Sequence, residues 1–205
     1  MVIESIPGGF RLTSGGVELL RHSAEKPCLR LARSDFDFRS RTGQHRVLPG
    51  LSEWTELPGY ELGDGWVRFF GGGVELRAGL AAEEGGFSLQ FDLPEGWNYA
   101  RLSLPARAGE AVYGGGMQFS DLNLRGRVYP IFTCEAGIGR NKRRLATILA
   151  DLIAGAGGNY WTTYNPQAVF LTAGGAGYAL EDELYAHLDF RGREEHLVDF
   201  YGPAR

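Results

Sequence analysis

Apolar and polar residues alternate with a period of two from Gly9 to Leu104, in short runs punctuated by glycine or proline: GFRLTS, GVELLRH, CLRLARS, GWVRFFGGGVELRAG, FSLQFDLP and YARLSLP. Successive side chains of a strand point to opposite faces, so in WVRFF Val67 and Phe69 share one side and Trp66 and Arg68 the other. In FSLQFDL, Phe87, Leu89, Phe91 and Leu93 share a face, with Ser88, Gln90 and Asp92 opposite. One buried and one solvated face suits antiparallel sheets. Asp64-Gly65, Glu84-Gly85-Gly86 and Pro94-Glu95-Gly96 supply the positive or fixed φ that tight hairpins need. Gly71-Gly72-Gly73 reads as a turn. Gly114-Gly115-Gly116, after Ala111-Val112-Tyr113, reads as a bulge or close backbone approach and not a phosphate loop, since no Lys-Ser or Lys-Thr and no helix follows it. The β pattern returns after Gly158 in AVFLTAGG, YALEDELY, HLDF and HLVDFYG. The succession of hairpins predicts an all-β sandwich or barrel.

One segment breaks the pattern. Between Arg140 and Ala154, Leu145, Ile148, Leu149 and Leu152 recur at helical spacing, with Arg143, Arg144 and Asp151 off the stripe and Gly155 placed as a stop. The spacing predicts one short amphipathic helix. No fixed-period repeat or low-complexity linker divides the chain, so residues 1–205 are expected to form one domain.

Composition narrows the function. A formal charge of −4 and a pI near 5.6 argue against a general nucleic-acid or membrane-surface partner. The 31 glycines point to many turns. Cys28 and Cys134 lack metal-ligand or redox-motif spacing and read as two free buried thiols, and no cofactor is expected. MVIESIPGGF has neither the basic start nor the apolar centre of a signal peptide, and the most apolar run, Leu145 to Gly158, is short and contains Asp151. A cytoplasmic protein is the expectation.

Candidate chemistry is sparse. Arg140, Lys142, Arg143 and Arg144 are either an anion site or a solvated helix start. Arg125 and Arg127 lie in the polar run SDLNLRGR, where they bind a ligand or pair with carboxylates to fix a loop. No nucleophile elbow is present, and His22, His45, His187 and His196 are scattered singly. Glu83-Glu84, Glu181-Asp182-Glu183 and Glu194-Glu195 look like turn and edge decoration. Trp97, Tyr99, Tyr160, Trp161, Tyr164 and Phe170 stack on sugar rings or fill a core, with Asn159 to Tyr164 the best sugar-facing candidate.

Read as ordered blocks, VYGGGMQFSDLNLRGRVYPIFTCEAGIGRNK resembles the N-terminal domain of family 31 glycoside hydrolases, most closely the sulfoquinovosidase-like branch of bacterial α-glycosidases. The matching blocks are Tyr113 to Gln118, Asn123 to Arg127 and Phe132 to Arg140, followed in order by Gly157 to Tyr160, Tyr164 to Gln167 and Leu188 to Arg191. The resemblance implies a galactose-mutarotase-like antiparallel β-sandwich packed against a (β/α)8 barrel. It also implies that the catalytic aspartates lie on that barrel, which these 205 residues end before. No catalytic residue is therefore expected here. What the resemblance carries over is a supporting loop within residues 112–164 that faces the barrel and touches an α-glycoside or sulfo-sugar. Glu135 is its acidic residue, with Arg140 and Lys142 nearby and Gln118, Arg125, Trp161 and Tyr164 as further binding candidates. Met117 stands where the resemblance implies glutamate, and Cys134 and Ala136 where serine and proline are usual. Two other functions fit a sandwich: a freestanding carbohydrate-binding module using Trp161 and Tyr164 as a platform, and a mutarotase-like epimerase needing a histidine and a carboxylate in one cleft.

Overall fold

The computed structural model describes residues 1–181 and 185–202. Among them are eighteen strands and one helix. Strands β1 (Val2–Ile6), β2 (Gly9–Ser14) and β3 (Val17–Ser23) form one sheet; β4 (Leu29–Ala32) enters another. Next come a separate hairpin, β5 (Ser34–Arg41) and β6 (Gln44–Leu51), and the short β7 (Thr55–Glu56). A four-stranded meander follows: β8 (Gly59–Gly63), β9 (Trp66–Gly71), β10 (Val74–Glu83) and β11 (Gly86–Gln90). The rest are β12 (Tyr99–Pro105), β13 (Val112–Gly116), β14 (Val128–Ile131), α1 (Leu145–Ala154), β15 (Pro166–Thr172), β16 (Gly177–Ala179), β17 (Ala186–Asp189) and β18 (Glu195–Tyr201). A six-stranded sheet has the order β14-β17-β18-β12-β4-β7, and a three-stranded one the order β13-β15-β16. Every pairing is antiparallel.

The alternation in the sequence sets which face is buried. On β9, Val67 and Phe69 are buried opposite Ala78 and Leu76 of β10. Phe87, Leu89, Phe91 and Leu93 turn inward as a set, although β11 itself ends at Gln90. In the six-stranded sheet the register places Ala100 beside Phe200 and Leu102 beside Val198, with Leu188 on the far side of Val198. Same-face neighbours across strands are the packing unit of a sheet, so this register gathers its apolar residues on one side. They merge with Phe10, Leu12 and Leu20 of the first sheet, Phe69 and Leu76 of the meander, and Val112 and Phe170 of β13 and β15. Four sheets thus close over one apolar cluster, as an all-β sandwich does.

The second face of the six-stranded sheet is covered too. Arg101 and Asp199 lie directly opposite and make two hydrogen bonds, 2.6 and 2.7 Å, with the Arg101 guanidinium 4.4 Å from the Trp54 ring centre. Aromatic contacts fasten the β5–β6 hairpin alongside: Phe36 stands 4.8 Å from Tyr201, and Phe38 and His45 stand 5.5 and 5.7 Å from Phe132. That anchorage delivers the hairpin tip, Thr42 and Gly43, to the loop after β14.

Helix α1 forms where the spacing predicts and stops at Gly155, whose left-handed backbone (φ 64°) lets its own N–H reach the Asp151 carbonyl and the Ala156 N–H the Ala150 carbonyl. Its orientation differs from the usual rule for an amphipathic helix. Thr147 is its buried residue, whereas Leu145, Ile148, Leu149, Leu152 and Ile153 are all exposed. Its small and polar side faces the flanking loops, with Thr147 against Gly139 and Asp151 accepting from the Gly157 N–H at 3.0 Å, and the apolar stripe turns outward. Asp182, Glu183 and Leu184 from the acidic run and the YALEDELY segment lie outside the described residues.

Candidate functional site

The glycine triplet is the bend that starts the site. Pairing between β13 and β15 shifts register between Gly114 and Gly116, and a Cβ on Gly114 (φ 123°) would meet the Val169 carbonyl oxygen at 2.4 Å. Only glycine tolerates both the backbone angle and the approach. The Gln118 amide donates back to the Gly115 carbonyl at 2.7 Å, so this side chain locks the bulge. From there SDLNLRGR runs to β14, and the loop after β14 carries Glu135.

Contacts on two sides hold that loop. The Glu135 N–H donates to the Gly43 carbonyl (2.9 Å), and the Gln44 side-chain amide donates to the Glu135 carbonyl (2.7 Å). On the other side the Cys134 N–H donates to the Thr163 carbonyl (2.9 Å), and the Thr162 hydroxyl donates to the Ala136 carbonyl (3.0 Å). Between these walls lies an open cleft of about 430 Å³, lined among others by Gln44, Glu135, Ile138 and Tyr164. The Tyr164 hydroxyl donates to Glu135 Oε2 at 2.9 Å. The cleft therefore offers a carboxylate acceptor, a phenol, a carboxamide and an apolar wall, a set able to hydrogen-bond vicinal hydroxyls and pack against a ring. Glu135 is the one carboxylate lining it. Glycoside hydrolysis by paired carboxylates uses two such groups, of which the lining of this cleft supplies one.

Of the residues singled out from sequence, Glu135 and Tyr164 converge here. The others do different work. The Arg140 guanidinium stacks 4.6 Å from the Phe119 ring centre, and its buried Nε finds no acceptor among the described residues. Lys142 pairs with Asp151 at 2.6 Å, and that hydrogen bond holds the Asp151 carboxyl below its ordinary range. Arg143 and Arg144 are exposed, and Arg144 is the helix N-cap residue without a side-chain capping bond. Arg125 donates to His196 Nδ1 (3.3 Å) and to the Arg193 carbonyl (3.1 Å). His196, fully buried, stands 3.3 Å from Glu110 on its other nitrogen; burial first, then the Arg125 charge, keeps the imidazole neutral by lowering its pKa. The imidazole of this pair stands edge-on to the core rings of Phe170 and Phe190. Arg127 pairs with Asp121 at 3.0 Å and stacks on Tyr160.

Trp161 packs against the core with its ring edge-on to Tyr160 (4.8 Å), while Tyr164 points to solvent. Tyr99 and Phe170 are core residues. Sequence reasoning missed Thr42, Gly43 and Gln44. The signal was available: Thr-Gly between two alternating runs, SDFDFRSR and QHRVL, marks a hairpin.

No protein-family model matches the chain. Among curated proteins it is similar to the sulfoquinovosidase of Escherichia coli (strain K12), 32% identical over 186 residues, which is 87% of this chain and 27% of that protein. It is also similar to the sulfoquinovosidase of Agrobacterium fabrum, 29% identical over 202 residues, 98% of this chain and 30% of that protein. A solved family 31 sulfoquinovosidase from E. rectale, in complex with an aza-sugar inhibitor, matches 99% of this chain with a TM-score of 0.89 and 27% identity. The chain corresponds to the N-terminal part of family 31 glycoside hydrolases. It spans 27 to 31% of the length of these relatives, and within the described residues this family 31 part is all sandwich, with no (β/α)8 barrel. No helix among the described residues is long and apolar enough to cross a membrane.

Proposed function

We propose that this chain is the accessory sandwich of an α-glycosidase acting on sulfoquinovosides, with the 112–164 segment turned toward a (β/α)8 catalytic domain. The observation that carries the reading is the inverted helix. Leu145, Leu152 and Ile153 are 70, 72 and 78% exposed, and Met117, Phe119, Leu122 and Ile138 of the same segment are exposed as well. Large apolar side chains left exposed together in one segment mark a site of association. The occupant is the remainder of the polypeptide, because the relatives are more than three times as long as the stretch matched here. The Glu135 cleft opens beside α1, with Ala156 and Ile138 in its lining, so a domain seated on the helix stands next to the carboxylate. Glu135 then accepts hydrogen bonds from substrate hydroxyls, while the two carboxylates of a retaining mechanism come from the barrel. Two unpaired, buried thiols fit a cytoplasmic setting.

Turnover separates the possibilities. The purified 205-residue chain is expected to release no nitrophenol from aryl α-glucoside or aryl α-sulfoquinovoside, and the protein as its gene encodes it to prefer the latter. Robust turnover by the 205-residue chain alone sinks the proposal.

A further inference from the structure

The structure assigns the tip of the β5–β6 hairpin a role that rests on the function proposed above: it is the device that positions Glu135, with Gln44 and Thr42 as positioning residues. Both peptide groups of Glu135 are taken by this tip, the N–H by the Gly43 carbonyl (2.9 Å) and the carbonyl by the Gln44 amide (2.7 Å). The neighbouring Cys134 thiol reaches the His45 carbonyl at 3.6 Å. One two-residue turn thus fixes the loop residue from both directions across about ninety positions of chain.

The turn needs positive φ at both of its centres, and one of them is filled by a residue that resists it. Thr42 (φ 53°) is the one non-glycine residue with positive φ among those described, and Gly43 follows at φ 73°. Two consecutive positive φ values make a turn that favours asparagine or glycine at its first centre, not a β-branched residue. Strain of this kind persists where surrounding contacts hold it. Here the Thr42 hydroxyl donates to the Ala154 carbonyl (2.6 Å), tying the turn to the C-terminus of α1. A side chain at 43 is also excluded from the other direction, since a Cβ there would stand 2.2 Å from Glu135 Cγ. The tip therefore couples the helix that presents the apolar stripe to the loop that presents the carboxylate. Tyr164 completes the arrangement by donating to Glu135 Oε2.

Two measurements test this. Amide hydrogen exchange on the 205-residue chain reads the loop directly: Gln44→Ala is expected to speed exchange at the Glu135 N–H at least tenfold while strand amides of β12 and β18 keep their rates. Unchanged exchange at Glu135 overturns the assignment, whatever the chain's activity. A double-variant cycle on the protein as encoded, assayed with aryl α-sulfoquinovoside, reads the consequence. Glu135→Gln is expected to lower kcat/KM, Gln44→Ala to lower it about tenfold, and the two together to be no worse than Glu135→Gln alone, because Gln44 acts through Glu135. Additive losses, or full activity of Gln44→Ala beside an impaired Glu135→Gln, overturn the positioning role. No effect of Glu135→Gln instead overturns the role proposed for the carboxylate itself, and the exchange result then stands separately.

Discussion

An amphipathic helix whose apolar face is replaced by polar residues normally costs a domain much of its stability, and here the opposite is expected. Leu152 is 72% exposed, so Leu152→Gln in the 205-residue chain removes little buried area. Full burial of leucine is worth about 2 kcal/mol, and roughly a quarter of that is at stake, about 0.5 kcal/mol. Helix propensity adds little, since leucine and glutamine rank close together. Leu145→Gln, at 70% exposure, follows the same arithmetic. Thr147, buried at 1%, is the contrasting position: Thr147→Leu forces extra carbon against the close-lying Gly139 and should cost about 1–3 kcal/mol. Urea unfolding followed by circular dichroism measures all three. Where a barrel covers the stripe, as proposed above, Leu152→Gln should instead cost about 2 kcal/mol. A loss above about 1.5 kcal/mol for Leu152→Gln in the 205-residue chain would refute the outward orientation, because only a stripe packed on its own sandwich loses that much on truncation to a polar group.

Other outcomes follow from the core. Burial holds the imidazoles of His22, His187 and His196 below the ordinary 6.5. Between the folded and unfolded values the unfolded chain binds more protons, so stability is expected to fall as pH drops below about 6.5, at up to about 1.4 kcal/mol per pH unit for each histidine; a flat urea midpoint from pH 7 to 5 contradicts this. Asp199→Asn leaves the Arg101 charge without its carboxylate. Because the Arg101 side chain is 23% exposed, the expected cost is about 2 kcal/mol and not the 3–5 of a fully buried pair, with Arg101→Met/Asp199→Leu recovering most of it in the same assay. The Cys28 thiol is pushed up to about 12 by burial, and Cys134 is also raised by burial, so a disulfide reagent should titrate no thiol until urea unfolds the chain.

Strand positions and their inward faces were legible in the sequence because period-two alternation is a local code, and the core it addresses lies within the chain. Val67, Phe69, Leu76 and Leu89 turn inward as their spacing predicts. The helix and its glycine stop were legible for the same reason. A stripe at helical spacing, however, says only that a helix has an apolar face, not which surface that face serves. Whether Leu145 and Leu152 meet this sandwich or another domain is a tertiary fact, and the fold turned them outward.

The candidate site divides in the same way. Glu135 and Tyr164 stood out through ordered blocks shared with a known family, yet composition did not separate them from Lys142, Trp161 or Arg125, which the fold sends to a helix carboxylate, an aromatic neighbour and a buried histidine. Thr42, Gly43 and Gln44 sit at a hairpin tip about ninety positions from the loop they hold. No spacing rule relates a hairpin tip to a distant loop, because their meeting depends on how Phe36 and Phe38 seat the hairpin against Tyr201 and Phe132. The sequence by itself determined the strands, the helix and the family; the packing of one hairpin across a sheet decided where the carboxylate sits and what holds it there.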